Sequence, residues 1–223
     1  MNILGIDCSL ASRTAVGVMT SGGKLFDTSV ADDGSSEERL MDRVGAALAE
    51  AGLNIRDIDL IAAGVGPGSF TGIRIGISAA RALAWAAEKP LVGISSLELL
   101  SLSAEPRTEY VCAMTDARMK RVFAAVFHNG ERITEDMDIE PGVLADKLSA
   151  FPPESLSIAG DGLVKYSGFF EGMTRLPATV ISALAICEAG RKFYVPGGGD
   201  YRGVVPVYLR KSEAELQWEL RQK

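Results

Sequence analysis

Few side chains in this sequence are equipped for chemistry, and their spacing limits what they can do. His128 is the single histidine. One imidazole cannot supply the H-x-x-x-H or H-E-x-x-H pairs from which zinc centres are built. Its place at a strand end beside Asn129-Gly130 suits a structural or exposed role better than catalysis. The three cysteines, Cys8, Cys112 and Cys187, are scattered and form no C-x-x-C pair, as expected of reduced thiols. Cys8 follows a strand, where a nucleophile can be presented, but no activating group accompanies it in the sequence, so a buried neutral thiol is expected. The remaining candidates are carboxylates at strand ends: Asp7, Asp116 and Asp161. Asp161, in A-G-D-G at 159–162, reads as a helix cap ahead of a nucleotide contact. No catalytic residue, metal ligand or cofactor contact is assigned on these grounds.

The loop at 64–72, G-V-G-P-G-S-F-T-G, stands between a strand and a helix. Gly66, Pro67, Gly68, Ser69, Thr71 and Gly72 could present amides and hydroxyls to an anion at the helix N-terminus. The loop lacks the G-K-[ST] of a Walker A motif and the G-x-G-x-x-G dinucleotide spacing, and a tight strand-to-helix turn is the favoured reading. In the helix that follows, Gly72, Gly76, Ala80 and Ala84 recur every four residues as a stripe of small side chains. Glycine inside a helix costs about 1 kcal/mol relative to alanine. Close approach of another backbone is the expected compensation. Arg74, Ser78, Arg81 and Trp85 form a second stripe, a mixture of guanidinium and aromatic groups common at protein interfaces.

The elements that position these groups follow from periodicity. Strands are expected at 3–7, 14–19 and 25–30, forming an antiparallel meander turned at Ser21-Gly22-Gly23. Ser35 to Glu38 fits a capping box before a helix that Gly52 closes. A strand at 59–64, a helix from the glycine-rich loop to about 88, a strand at 91–94 and a helix capped by Ser95 or Ser96 complete the first half. A second meander is expected at 110–115, 121–128 and 131–138, turned at Asn129-Gly130. Then come a helix after Pro141, a strand at 156–159, a helix after Gly162 and a helix at 180–193. Gly197-Gly198-Gly199 reads as a flexible connector, 204–210 as extended, and Ser212 as the cap of a terminal amphipathic helix. This is an α/β chain laid out as two lobes of the actin/Hsp70/sugar-kinase (ASKHA, ribonuclease H-like) type, the second lobe short. The expected division is 1–104 and 105–223. Sugar kinases and Hsp70-like ATPases carry an acid at the position of Asp7, followed by a glycine-containing turn. Here the turn is Cys8-Ser9-Leu10-Ala11-Ser12, which has no glycine to let a phosphate approach.

Composition is that of a globular protein, 47% hydrophobic and 23% charged. A net charge of −6 argues against a protein that grips nucleic acid unaided. No apolar stretch is long enough to span a membrane, and no leader pattern precedes the first strand, so a cytoplasmic location is expected.

The motifs I-L-G-I-D at 3–7, S-E-E-R-L at 36–40, G-P-G-S-F-T-G-I-R-I-G at 66–76, G-I-S-S-L-E at 93–98, D-A-R-M at 116–119, G-D-G at 160–162 and P-V-Y-L-R at 206–210 closely resemble the TsaB (YeaZ) family. Ser36 and Asp42 depart from its pattern, which often has His and Pro there. The resemblance implies a non-catalytic subunit for making threonylcarbamoyladenosine at position 37 of tRNAs that read codons starting with A. It would pair with a TsaD-like catalytic subunit, or with a second copy of itself, and work with a TsaE-like ATPase, meeting tRNA only through the complex. Carried onto this chain, the partner interface is Glu37, Leu40, Met41, Val44, Phe70, Ile73, Arg74, Gly76, Ile77, Ala80, Arg81 and Ala84. Two readings compete: a metallopeptidase of glycoprotease type, which the single histidine opposes, and an ASKHA-type ATPase or kinase, which the glycine-free turn opposes.

Overall fold

The structure, a computed structural model, describes residues 1–31, 39–176 and 179–210. The first half contains β1 (Ile3–Asp7), β2 (Arg13–Met19), β3 (Leu25–Asp27), β4 (Val30–Ala31), α1 (Leu40–Glu50), β5 (Leu60–Gly64), α2 (Phe70–Ala87), β6 (Leu91–Ile94) and α3 (Ser96–Leu102). The second contains β7 (Tyr110–Asp116), β8 (Val122–His128), β9 (Glu131–Arg132), β10 (Met137–Ile139), α4 (Pro141–Leu148), β11 (Leu156–Ala159), α5 (Gly162–Tyr166), β12 (Thr174–Leu176) and α6 (Ala183–Phe193).

The strands form two mixed sheets with the same order, β3-β2-β1-β5-β6 and β10-β8-β7-β11-β12. In the first sheet β1, β2 and β3 run as an antiparallel meander, with β4 also antiparallel to β2, and β5 and β6 join in parallel; in the second, β8 runs antiparallel to β7, β9 and β10, and β11 and β12 join in parallel. The second sheet thus repeats the first, as expected of the two-lobed fold. Strand β12, which no apolar pattern in the sequence announces, is a three-residue edge strand whose Thr174 and Arg175 are exposed.

The two-residue period of a strand sorts its side chains into layers. Leu4, Ile6, Val16, Val18, Ile61 and Ala63 face α1 and α2. Their neighbours Ile3, Ala15, Met19, Leu60 and Ala62 face a central layer with Ile186 and Cys187 of α6 and Leu97 and Leu100 of α3. Ala113, Phe123, Ala125 and Phe127 of the second sheet close this layer from the other side. Cys112, Met114, Val122, Ala124 and Val126 face outward onto Leu144 of α4 and Leu163 of α5. The α6 helix, although late in the chain, lies tightly on the first sheet: a Cβ on Gly17 would come within 2.6 Å of Ala183 Cβ, and one on Gly190 within 2.6 Å of Ala62 Cβ.

Several expected elements are shorter, each for a local reason. The strand expected at 25–30 breaks at Ser29, whose hydroxyl accepts the Val16 N–H at 3.1 Å in place of a main-chain carbonyl. The strand expected at 131–138 breaks in the same way, with Thr134 Oγ1 accepting the Val126 N–H at 2.9 Å. Helix α6 starts late because Ser182 is its cap, its hydroxyl accepting from Ala185 N–H at 3.1 Å. The glycine run is a turn rather than a loose connector. Gly198 N–H donates to Val195 O, and Gly199 O accepts from Leu91 N–H, both at 2.8 Å. At Asn129-Gly130 both residues have positive φ, 50° and 80°, as a two-residue hairpin of this twist requires. Gly52, at φ 67°, follows α1 as expected. The capping box at Ser35, the interface residue Glu37 and the helix after Ser212 lie outside the described residues.

Candidate functional site

Asp7 ends β1 and is buried. One carboxylate oxygen accepts from Ser9 N–H at 3.0 Å and Ser9 Oγ at 2.9 Å, the other from Ser96 Oγ at 3.2 Å. Ser96 Oγ in turn accepts from Gly66 N–H at 3.0 Å. Burial pushes the Asp7 carboxyl up to about 6, against the opposing pull of the Ser9 and Ser96 hydrogen bonds. The space it occupies exists because residue 64 is glycine: a Cβ there would lie 1.6 Å from the Asp7 oxygen.

The turn after Asp7 closes onto the glycine-rich loop. Ser9 O accepts from Ser69 N–H at 2.7 Å, and a Cβ on Gly68 would come within 2.3 Å of that carbonyl. Ser69 is the N-cap of α2, its hydroxyl accepting from Gly72 N–H at 3.2 Å. Of the loop residues that the sequence offered to an anion, Gly66, Ser69 and Gly72 have their amides engaged by Ser96, Ser9 and Ser69, and Pro67 has none to give. The loop is a tight strand-to-helix turn locked to the β1 turn.

Beside it lies a cleft of about 720 Å³. Ser9, Ser12, Gly68, Ser69, Phe70 and Arg74 line it from the first half of the chain; Thr115, Asp116, Arg118, Met119, Asp161 and Lys165 line it from the second. Asp161 does not act as a cap by its side chain: its oxygen accepts from Asp116 N–H at 3.3 Å, joining the ends of β7 and β11. Burial raises its carboxyl above the usual range, with the Thr115 and Asp116 hydrogen bonds opposing. Asp116 approaches Lys165 Nζ at 3.4 Å and accepts from Arg118 N–H at 2.9 Å. Arg118, Met119 and Lys120 all have positive φ, an uncommon run for non-glycine residues.

The rim is completed by a segment whose role the sequence did not disclose. Tyr208 stacks on Phe70 with centroids 4.5 Å apart and accepts from Arg74 Nε at 2.8 Å. Arg210 forks onto Asp138 at 2.8 and 2.7 Å. The P-V-Y-L-R motif was the available signal; its contacts were not.

The expected interface residues divide into two sets. Leu40, Val44, Ile73, Gly76, Ile77, Ala80 and Ala84 are buried within this chain. The small-residue stripe of α2 packs against the protein's own β1 side, where a Cβ on Gly76 would meet Cys8 at 3.4 Å. Met41, Arg74, Ser78 and Trp85 are exposed; Phe70 and Arg81 are half-buried. Elsewhere, His128 Nε2 lies 3.1 Å from Glu109 Oε1 and 3.3 Å from Asn129 Nδ2, and its ring stacks on Tyr110. All three cysteines are buried, and burial pushes the Cys112 and Cys187 thiols up to about 12. Among the described residues, no group of three or more His, Cys, Asp or Glu is placed to hold a metal.

The chain is 33% identical to the Haemophilus influenzae tRNA threonylcarbamoyladenosine biosynthesis protein TsaB over 98% of this chain and 96% of that one. It belongs to the TsaB family. Residues 33–187 also match the wider family model TsaD, tRNA N6-adenosine threonylcarbamoyltransferase. The solved structure of YeaZ from Pseudomonas aeruginosa superposes with a TM-score of 0.79 at 29% identity, covering 93% of this chain and 99% of that one. The ROK hexokinase of Thermus thermophilus, at 15% identity and TM-score 0.52 over 86% of this chain and 99% of that one, shares the fold alone. Membership of the TsaB family thus joins the expected fold class to a chain whose candidate acid, Asp7, is turned inward.

Proposed function

We propose that this protein is a non-catalytic subunit for threonylcarbamoyladenosine formation at position 37 of tRNAs reading codons that start with A. It pairs with a TsaD-like catalytic subunit, works with a TsaE-like ATPase and meets tRNA through that complex in the cytoplasm. The observation that carries this reading is the end-to-end likeness to a TsaB protein of nearly equal length. The chemistry of the chain supports it: Asp7 is engaged by internal hydrogen bonds, the Gly66, Ser69 and Gly72 amides by the chain's own acceptors, and His128 by its neighbours. Among the described residues no helix is long and apolar enough to cross a membrane.

The proposed contact surface is the outer side of α1 and α2, with Met41, Arg74, Ser78 and Trp85 at its centre and a second copy of the chain as its occupant when the catalytic subunit is missing. The test is threonylcarbamoyladenosine formation on tRNA with purified TsaD-type and TsaE-type proteins and the carbamoyl-adenylate synthase, with and without this chain. Modification that needs the chain supports the role. Modification at the same rate without it removes the role.

A further inference from the structure

We propose that residues 204–210 form a latch across the cleft, coupling the exposed end of α2 to the separation of the two cleft walls. The segment is anchored on the first sheet's side by Val204, which lies within 3.0 Å of the position a Cβ on Gly93 would take. Val207 N–H donates to Val65 O at 2.8 Å. The next residue, Tyr208, holds α2 through its stack on Phe70 and its bond from Arg74. Leu209 packs on the central apolar layer. Arg210 then reaches the opposite wall, where it forks onto Asp138, donates to Ala117 O at 3.2 Å and lies over the Phe123 ring. Three consecutive residues therefore pass from one wall to the other, and Phe70, Arg74, Ala117, Phe123 and Arg210 all line the cleft they cross.

The latch is built to open without leaving a charge stranded. The Val207 bond is the one main-chain hydrogen bond the segment makes among the described residues, so its hold rests on side chains. Asp138 is shared: Arg121 Nε lies 2.7 Å from the same carboxylate and would keep it paired after Arg210 left. Tyr208 is exposed, so its hydroxyl can turn to water. At the other end, Arg74 is exposed on α2. A contact that draws its guanidinium outward removes the donor from Tyr208 and biases the latch toward release, by as much as that contact favours the released form. The coupling is a property of the isolated chain and does not depend on the proposed tRNA role.

The test uses the full chain with spin labels at Thr71→Cys and Val164→Cys, exposed positions on opposite walls of the cleft; the native cysteines are buried. Pulsed dipolar spectroscopy should give one narrow distance distribution for the parent. Arg210→Ala should move it to longer distances, and Arg74→Ala and Tyr208→Phe, at the other end, should move it the same way. The Arg74→Ala/Arg210→Ala pair should go no further than the larger single change, because both release one element. An unchanged distribution in all variants overturns the latch, and a change with Arg210→Ala alone overturns the coupling. Should Arg210→Ala fail to fold, Tyr208→Phe removes a single exposed oxygen, and an unchanged distribution in that variant overturns the proposal by itself.

Discussion

Asp7 keeps a carboxyl group where water does not reach, and its hydrogen bonds from Ser9 and Ser96 offset only part of the desolvation. Its affinity for a proton in the folded state has a consequence for stability. Below pH 3.8 folded and unfolded chains both hold the proton. Between 3.8 and about 6 the folded protein keeps the proton that the unfolded chain has released. Stability contributed by this group therefore falls as pH rises through that window and is level above it, by about 3 kcal/mol in all. Asp7→Asn should flatten this part of the urea-denaturation profile relative to the parent. Asp161 and Glu98 also have raised carboxyls and titrate in both proteins, so the difference between the two profiles isolates Asp7. A parent and variant with parallel profiles from pH 4 to 7 would show that Asp7 is not the group responsible.

At the scale of elements, the glycines of the β5–α2 connection and of α2 itself are not equivalent, and substitution separates them. Gly68→Ala would drive a methyl into the Ser9 carbonyl, a backbone atom that cannot swing aside, and should cost several kcal/mol, on the order of an overpacked core. Gly76→Ala places its methyl in near-ordinary contact with Cys8 and regains helix propensity, so thermal melting should change by no more than about 1 kcal/mol in either direction. The contrast shows what periodicity could convey. The stripe of Gly72, Gly76, Ala80 and Ala84 correctly marked a close-packed face, but spacing along a helix cannot say whose atoms face it. The main strands of both sheets were legible from apolar runs and turn residues. Edge strand β12 was not, since T-R-L has no pattern of its own. The breaks at Ser29 and Thr134 were hidden because each depends on a hydroxyl reaching a neighbouring strand.

For the whole molecule, the same limit applies to surfaces. The resemblance pointed to α1 and α2, and the structure narrows the usable surface by burying Leu40, Val44, Ile73, Ile77, Ala80 and Ala84. A charge at Ile77 would unfold the protein and say nothing about a partner. Met41→Asp with Trp85→Ala alters side chains that are 52% and 66% exposed, so melting should hold while recovery of a TsaD-type subunit in a pull-down falls at least tenfold. Full recovery would move the proposed contact elsewhere. The cross-cleft pairing of Arg210 with Asp138 was beyond sequence reading altogether, because it joins residues with no shared element and forms only once both sheets are in place.

Asp7 and Gly64 occupy one volume, the carboxylate of the first filling the site where a side chain of the second would stand. Heredity must treat such positions as a single locus. Gly64→Ala alone should be severely destabilising, and Asp7→Gly beside it should recover much of the loss by removing the carboxylate that the new methyl strikes. A side chain at position 64 is admissible only after position 7 has given up its carboxylate, so the order of the two substitutions is fixed by the shared volume.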